Sequence, residues 1–243
     1  MGKKKNVTSA STEHVETKVT INYKINLKCK THKQKELVKA IYDNDIIFVE
    51  GVFGVGKTFV INSVALDMLK DGTNSIDKII LLVPTCSCSS TMELGHLPGS
   101  LDEKLYNFAL NEMDSLKKIL KKSGNVDPDK IIESLIKNEK IELKPISFLR
   151  GASIENAFIC VSEAEEFTKE DLFLIISRFE SGKMVISGDP LQASRSMVRN
   201  GNSGLLHAME RLTDVKGVGT VKFSEEDIVR NDILYDIYQK WKD

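Results

Sequence analysis

The sequence lacks long apolar runs, an excess of charge of one sign and a cysteine framework. No uncharged apolar run approaches the roughly 20 residues that a membrane-spanning helix needs, so no membrane segment is expected. The 34 Lys and Arg nearly balance the 35 Asp and Glu, which excludes a uniformly basic surface. Of the four cysteines, Cys86 and Cys88 form a C-x-C without a second pair, so zinc is not indicated. With no secretory signal at the start, we expect a cytoplasmic, reduced protein.

The composition is that of a folded chain, with 41% apolar and 28% charged residues among 243. This favours one large domain, which we expect over residues 21–243. Residues 1–20 are polar and rich in Lys, Ser and Thr, and predict a mobile arm. Residues 1–40 hold ten lysines and three glutamates, a local charge of +7. The remaining chain therefore carries −8.

Short apolar runs alternate with amphipathic stretches through most of the chain. The apolar runs predict strands over 46–49, 79–83, 157–161, 184–186 and 218–223. The amphipathic stretches predict helices over 34–42, 58–70 and 169–179. Continuous apolar strands between helices indicate a parallel sheet covered on both faces. Residues of about 100–140 predict a helical insertion or lid, with helices over 102–122 and 129–140.

The strongest motif is a phosphate loop, G-x-x-x-x-G-K-[ST], between the first strand and the helix after it. Its glycines allow backbone N–H groups to turn inward around phosphate oxygens, while the lysine reaches the β- and γ-phosphates and the last hydroxyl coordinates Mg²⁺. The motif predicts ATP and Mg²⁺ as cofactors. The expected binding residues are Gly51, Val52, Phe53, Gly54, Val55, Gly56, Lys57 and Thr58.

Polar residues follow two later strands, where the carboxyl edge of a parallel sheet would bring them to the loop. Ser162 and Glu163 stand where such enzymes hold an acid that grips Mg²⁺ through water and a second acid that orients the attacking water. Asp189 and Gln192 follow the next strand and are candidates for sensing the γ-phosphate. The alternatives are a helix N-cap at Ser162 and an ordinary turn at Asp189.

Further blocks occur in order along the chain. They are Leu94-Gly95-His96-Leu97-Pro98-Gly99, Pro145-Ile146-Ser147-Phe148-Leu149-Arg150-Gly151, Asn156-Ala157, Glu163-Ala164, Ser177-Arg178, Gly188-Asp189-Pro190-Leu191-Gln192, Ser203-Gly204-Leu205 and Asp227-Ile228-Val229-Arg230. With the loop, they resemble the PhoH-like family of phosphate-loop ATPases over roughly residues 34 to 240. The core of that family is similar to the first motor domain of superfamily 1 helicases.

The resemblance implies an α/β fold, a three-layer α/β/α RecA-like domain with a mostly parallel central sheet. It implies a Mg²⁺-dependent ATPase coupled to RNA or single-stranded nucleic acid and assembled as a homo-oligomer, with a ring as one form. Gln34 is placed like an adenine-reading glutamine, with a solvated helix residue as the alternative. Arg230 resembles an arginine finger for a neighbouring subunit, with a surface ion pair to Asp227 or Asp232 as the alternative.

Two departures from the family pattern bear on turnover. Ser162 replaces the aspartate on the metal side, and Glu165 replaces a glutamine in the same block. Val83 stands where the family has an arginine. These changes keep open a regulatory module that binds nucleotide with little hydrolysis. A small-molecule kinase is a third reading, without an acceptor-binding motif to support it. Arg150 and Arg178 are candidates for phosphate or nucleic-acid contact, or for salt bridges.

Overall fold

The computed structural model describes residues 21–71, 75–83, 110–149, 151–193 and 203–241. The expected arm over 1–20 and Arg150 lie outside these ranges. The described helices are α1 (His32–Asp43), α2 (Lys57–Asp71), α3 (Leu110–Lys122), α4 (Pro128–Lys137), α5 (Lys169–Ile176), α6 (Gly204–Arg211) and α7 (Asp232–Trp241). The described strands are β1 (Ile46–Glu50), β2 (Lys78–Val83), β3 (Ile141–Pro145), β4 (Ala157–Val161), β5 (Gly182–Gly188) and β6 (Val218–Lys222).

The six described strands form one sheet in the order β3-β2-β4-β5-β1-β6, and every neighbouring pair is parallel. Five of these strands were expected from their apolar runs. The edge strand β3 was not, because its sequence Ile-Glu-Leu-Lys-Pro alternates apolar and charged residues. Glu142 of β3 is held by Lys78 at 2.7 Å and by Lys144 at 2.6 Å, so its charged residues are paired along the edge.

Side chains of the central strands alternate between two apolar cores, one on each face of the sheet. In β1, Ile47 and Val49 enter the core beneath α1 and α2, while Phe48 enters the opposite core. That second core is closed by Leu172 of α5 and Leu205 of α6. The molecule therefore has three layers, α/β/α, as the sequence predicted.

Helices α3 and α4 belong to the first core. Met113, Leu116 and Leu120 of α3 are buried in the cluster that also contains residues of α2. Their helical spacing forms one apolar stripe, and Leu135 of α4 extends the same cluster. The described part of the expected insertion is thus a packed element of the helical layer rather than a lid.

The last two helices were not expected from the sequence. Helix α6 begins after Ser203, whose hydroxyl accepts a hydrogen bond from the N–H of Leu206. Trp241, at the end of α7, has 86% of its surface exposed. None of the helices in the described ranges is both long enough and apolar enough to cross a bilayer.

Candidate functional site

The loop over residues 51–56 joins the carboxyl end of β1 to the first turn of α2. Gly54 and Gly56 take the left-handed conformation, with φ of 80° and 85°, which glycine adopts without steric cost. The N–H of Gly51 donates to the carbonyl of Gly188 at 3.2 Å, so the loop starts against the end of β5. Helix α2 has no acidic residue in its first turn. The amino terminus of a helix carries a positive potential that favours an anion.

Lys57 folds back into this loop. Its Nζ donates to the carbonyl of Gly51 and, at 3.1 Å, to that of Val52. Burial lowers the pKa of Lys57, while the charges of Asp189, Glu165 and Glu163, in that order, raise it. The ends of β4 and β5, which carry these three acids, therefore lie near enough to the loop for their charges to act on the Lys57 ammonium.

Gln34 lies directly beneath the loop and is only 4% exposed. Its Nε2 donates to the carbonyl of Val55 at 2.8 Å, and its Oε1 accepts from the N–H of Lys30 at 2.7 Å. The alternative of a solvated helix residue is therefore wrong. Both polar atoms of the amide are used to join the loop to the chain that leads into α1, and adenine recognition by Gln34 stays a prediction.

Ser162 follows β4 and contacts a residue that the sequence analysis did not single out. Its hydroxyl donates to Oε1 of Glu112 in α3, and Nδ2 of Asn62 in α2 donates to Oε2 of the same carboxylate at 2.6 Å. Burial raises the pKa of Glu112, the hydrogen bonds from Ser162 and Asn62 lower it, and the charge of Glu163 raises it. The N-cap interpretation of Ser162 is wrong, because the residue that precedes the short 3₁₀ turn at Ala164–Glu166 is Glu163.

Two further acids stand at the end of β4. Glu163 is exposed and left-handed, with φ of 55°. Glu165 is 2% exposed, and burial, with a smaller contribution from Glu163, raises its pKa to about 8. Oε2 of Glu165 accepts from the N–H of Asp189 at 2.9 Å. The acid that replaces the family's glutamine therefore joins the ends of β4 and β5.

Asp189 and Gln192 form the turn after β5. Oδ1 of Asp189 accepts from the N–H of Leu191 at 3.1 Å, and Oδ2 accepts from Nε2 of Gln192 at 2.8 Å. The turn interpretation is correct, and the charge of Asp189 raises the pKa of Lys57 more than the charges of Glu165 and Glu163 do. Asp189 is buried, whereas Gln192 is an exposed residue whose amide nitrogen is held by Asp189.

The segment before α7 lies over the loop of its own chain. The N–H of Val229 donates to the carbonyl of Gly54 at 3.1 Å, and Nζ of Lys30 donates to the carbonyl of Val229 at 3.3 Å. Cβ of Arg230 is 3.5 Å from the point where a Cβ on Gly54 would lie. Within residues 203–241 no ion pair joins Arg230 to Asp227, while the side chain of Asp232 lies outside the described ones. Arg230 therefore begins beside its own phosphate loop.

An aromatic contact joins α7 to the loop. The rings of Phe53 and Tyr238 meet edge to face, with centroids 5.8 Å apart and an angle of 70°.

The carbonyl of Arg178 accepts from the N–H of Ile154, before β4 begins. The backbone of Arg178 is thus at the amino edge of the sheet, opposite the loop, and contact of Arg178 with phosphate or nucleic acid stays a prediction.

The residues at the carboxyl edge fit a nucleoside triphosphate with Mg²⁺. The loop supplies the half-buried ammonium of Lys57, and Thr58 supplies a hydroxyl in the first turn of α2. Among the described residues no three His, Cys, Asp or Glu side chains gather into a metal cage. Mg²⁺ bound with a nucleotide does not require one, because it takes phosphate oxygens and water beside one or two protein ligands.

The chain is similar to known proteins over most of its length. The model of the family described as PhoH-like protein matches residues 26–242. A PhoH-like protein of Synechocystis is 32% identical over 89% of this chain and 62% of its own length. A PhoH-like protein of Bacillus subtilis is 31% identical over 93% of this chain and 67% of its own. Protein PhoH of Escherichia coli is 30% identical over 82% of this chain and 53% of its own. The chain thus spans about half to two thirds of these relatives.

Proposed function

The chain belongs to the PhoH-like family, and from this membership and the geometry of the loop we propose that it binds ATP with Mg²⁺ and hydrolyses the γ-phosphate. The observation that carries the proposal is the position of Lys57. It lies in a glycine-containing loop at a helix amino terminus, within electrostatic reach of acids at the ends of β4 and β5. We place this activity in the cytoplasm, in keeping with free thiols at Cys29 and Cys160.

Each residue of the proposed site has a distinct task. The loop N–H groups and Lys57 hold the phosphates, so that Lys57 exchanges its carbonyl partners for phosphate oxygens. The Thr58 hydroxyl and Ser162 would hold Mg²⁺, whose charge would offset that of the phosphates. Glu163, exposed at the carboxyl edge, orients the attacking water and accepts its proton. Gln192, an exposed residue whose amide is held by Asp189, contacts the γ-phosphate.

Arg230 is proposed to offset the negative charge that develops on the γ-phosphate. Its Cβ lies against Gly54 of its own loop, which supports action within one chain rather than on a neighbouring subunit. A homo-oligomer, with a ring as one form, remains part of the proposal. Its support is the family resemblance and not a contact in the structure.

We also propose that hydrolysis is coupled to binding of RNA or single-stranded nucleic acid. The support within the described residues is the basic segment 21–40, which carries six lysines and one glutamate. Lys30 of this segment reaches the residue beside Arg230. A strand of nucleic acid on that surface would be close to the segment that covers the loop. Stimulation of phosphate release by added RNA, weakened by salt, is the expected sign of such binding.

A second candidate function is a regulatory module that binds nucleotide and hardly hydrolyses it. The observation that favours it is Ser162, which has no charge of its own at the metal side. Steady-state phosphate release by the wild type and by Lys57→Ala tests the first proposal, and Lys70→Ala, a lysine of the same helix far from the loop, is the control. Nucleotide binding without phosphate release would support the module. Transfer of the phosphate to an added acceptor would instead indicate a kinase.

A further inference from the structure

Glu112 is the half-buried centre of a contact that joins three elements at the proposed metal side of the site. It lies in the first turn of α3, Asn62 lies in the second turn of α2, and Ser162 follows β4. Each carboxylate oxygen of Glu112 accepts one hydrogen bond, from Ser162 and from Asn62 respectively. Asn62 itself is fully buried and its Oδ1 lies 3.7 Å from the thiol of Cys160. The carboxylate is thus oriented by its neighbours on two sides.

The position of this carboxylate relative to the phosphate loop follows from helix geometry. Asn62 is four residues after Thr58 in α2, so the two side chains share one face and their Cβ atoms are about 5–6 Å apart. The opposite partner, Ser162, stands at the carboxyl end of β4, the edge of the sheet to which the loop belongs. Glu112 is therefore bonded to a residue one helical turn from the proposed metal-binding hydroxyl of Thr58, and to the strand end where the metal-side acid of phosphate-loop enzymes is placed.

The direction of the hydrogen bonds gives Ser162 a particular orientation. Because its hydroxyl proton points to Glu112, its lone pairs are directed away from the carboxylate and remain able to accept from a metal-bound water or to coordinate the cation. An acid behind a metal ligand orients it and increases its basicity. A serine backed by a carboxylate can thus present the oxygen and the charge that one aspartate would present alone.

We propose that Glu112 supplies, through Ser162, the negative charge on the magnesium side of the site that the serine itself does not carry. This inference rests on the proposed function, since it concerns the cation that accompanies the nucleotide. Glu112 is a positioning residue in this role, and Asn62 holds it in place. The helical stretch from which it comes thereby contributes to the nucleotide site as well as to the core.

The test compares nucleotide binding with and without metal. Dissociation constants of a fluorescent ATP analogue are measured in EDTA and in excess Mg²⁺, and their ratio reports how strongly metal and nucleotide favour each other. In Glu112→Gln we expect this ratio to fall about 10- to 100-fold, as for other residues behind metal ligands. The charge loss weakens the hold on Mg²⁺ and removes a repulsion from bare phosphates, so both effects lower the ratio. Asp114→Asn, an exposed acid of the same helix, should leave it unchanged.

A rescue separates this role from a merely structural one. Glu112→Gln combined with Ser162→Asp places the charge back on the strand end, and should restore the ratio to within about threefold of the wild type, a difference below 1 kcal/mol. A residue that only tied α3 to β4 would not be replaced in this way. Should Glu112→Gln fail to fold, Ser162→Ala, which keeps the charge but removes the hydroxyl link, should lower the ratio in the same direction.

Three outcomes would overturn the inference: a wild-type ratio of one, an unchanged ratio in Glu112→Gln, or no rescue by Ser162→Asp. Failure of the proposed function looks different, because the wild type would then not bind the analogue in either condition. Binding by the wild type with an unaltered Glu112→Gln ratio would remove this inference alone.

Discussion

The N–H of Asp189 donates to Oε2 of Glu165 over 2.9 Å. This bond joins the buried carboxyl of Glu165, which follows β4, to the backbone that follows β5. Since β4 and β5 are adjacent in the sheet, this bond sets the distance between the two turns that carry Glu163 and Gln192. The geometry of the carboxyl edge therefore depends on a side chain whose charge changes with pH.

Glu165→Gln should change the pH dependence of stability. Burial raises the pKa of Glu165 to about 8 in the folded protein, against about 4.3 in an unfolded chain. The folded state therefore holds the proton more tightly, and this residue's contribution is full below pH ~4.3 and is lost as the pH rises toward 8. The unfolding free energy of Glu165→Gln relative to the wild type should thus increase from pH 5 to pH 8.

Urea unfolding at pH 5, 6.5, 8 and 9 measures this difference. Glu155→Gln, which changes an exposed carboxyl before β4, serves as the control and should track the wild type. A constant offset between Glu165→Gln and the wild type across these pH values would show that the Glu165 carboxyl titrates normally.

Gln34→Ala should destabilise the protein even without nucleotide. The substitution leaves the buried Val55 carbonyl without its partner, and a buried polar group left unpaired costs about 1–3 kcal/mol. Chemical unfolding of the nucleotide-free protein measures the loss, with Lys35→Ala on the exposed side of α1 as the control. If Gln34 served adenine recognition alone, stability would be unchanged and discrimination between ATP and GTP would disappear.

Arg230→Ala should slow phosphate release about a thousandfold, the lower end of the range for arginine fingers. Because its Cβ lies beside Gly54 of the same chain, mixing Arg230→Ala with Lys57→Ala should restore no activity. Arg211→Ala, at the exposed end of α6, is the control. Recovery in the mixture would mean that Arg230 completes the site of a neighbouring subunit.

Leu116→Ala should lower the unfolding free energy by about 2–5 kcal/mol, the usual cost of such a cavity in a core. Leu116 is fully buried against the cluster beneath α2, whereas Lys118 on the same helix is exposed. Thermal unfolding of Leu116→Ala and of Lys118→Ala compares the two. A lid over the site would behave differently, since its truncation would leave the melting temperature in place and alter only nucleotide exchange.

The sequence predicted well those parts of the site that are local in the chain. The loop, β1 and α2 follow one another, so their spacing and apolar pattern are visible without knowledge of the fold. The contact between Glu112 and Ser162 joins residues fifty positions apart, and no periodicity indicates which acid of α3 turns inward. An acid in the first turn, followed by the apolar stripe that begins at Met113, was the available signal.

Other differences have equally local causes. Strand β3 was missed because an edge strand needs only one apolar face, and its charged residues resembled the end of the preceding helix. The sequence did not decide whether Gln34 is buried or exposed, because a glutamine in an amphipathic helix fits the protein interior as well as the surface. The position of Arg230 depends on the bond between Val229 and Gly54, which pairs the last segment with the loop and leaves no trace in the sequence pattern.

The edge-to-face packing of Phe53 on Tyr238 has a practical consequence. Trp241, one helical turn beyond Tyr238, is the single tryptophan of the chain and is largely exposed. A displacement of Phe53 would be transmitted through its contact with Tyr238 to helix α7, which carries Trp241. The intrinsic fluorescence of Trp241 should therefore report a movement of the loop without an attached dye.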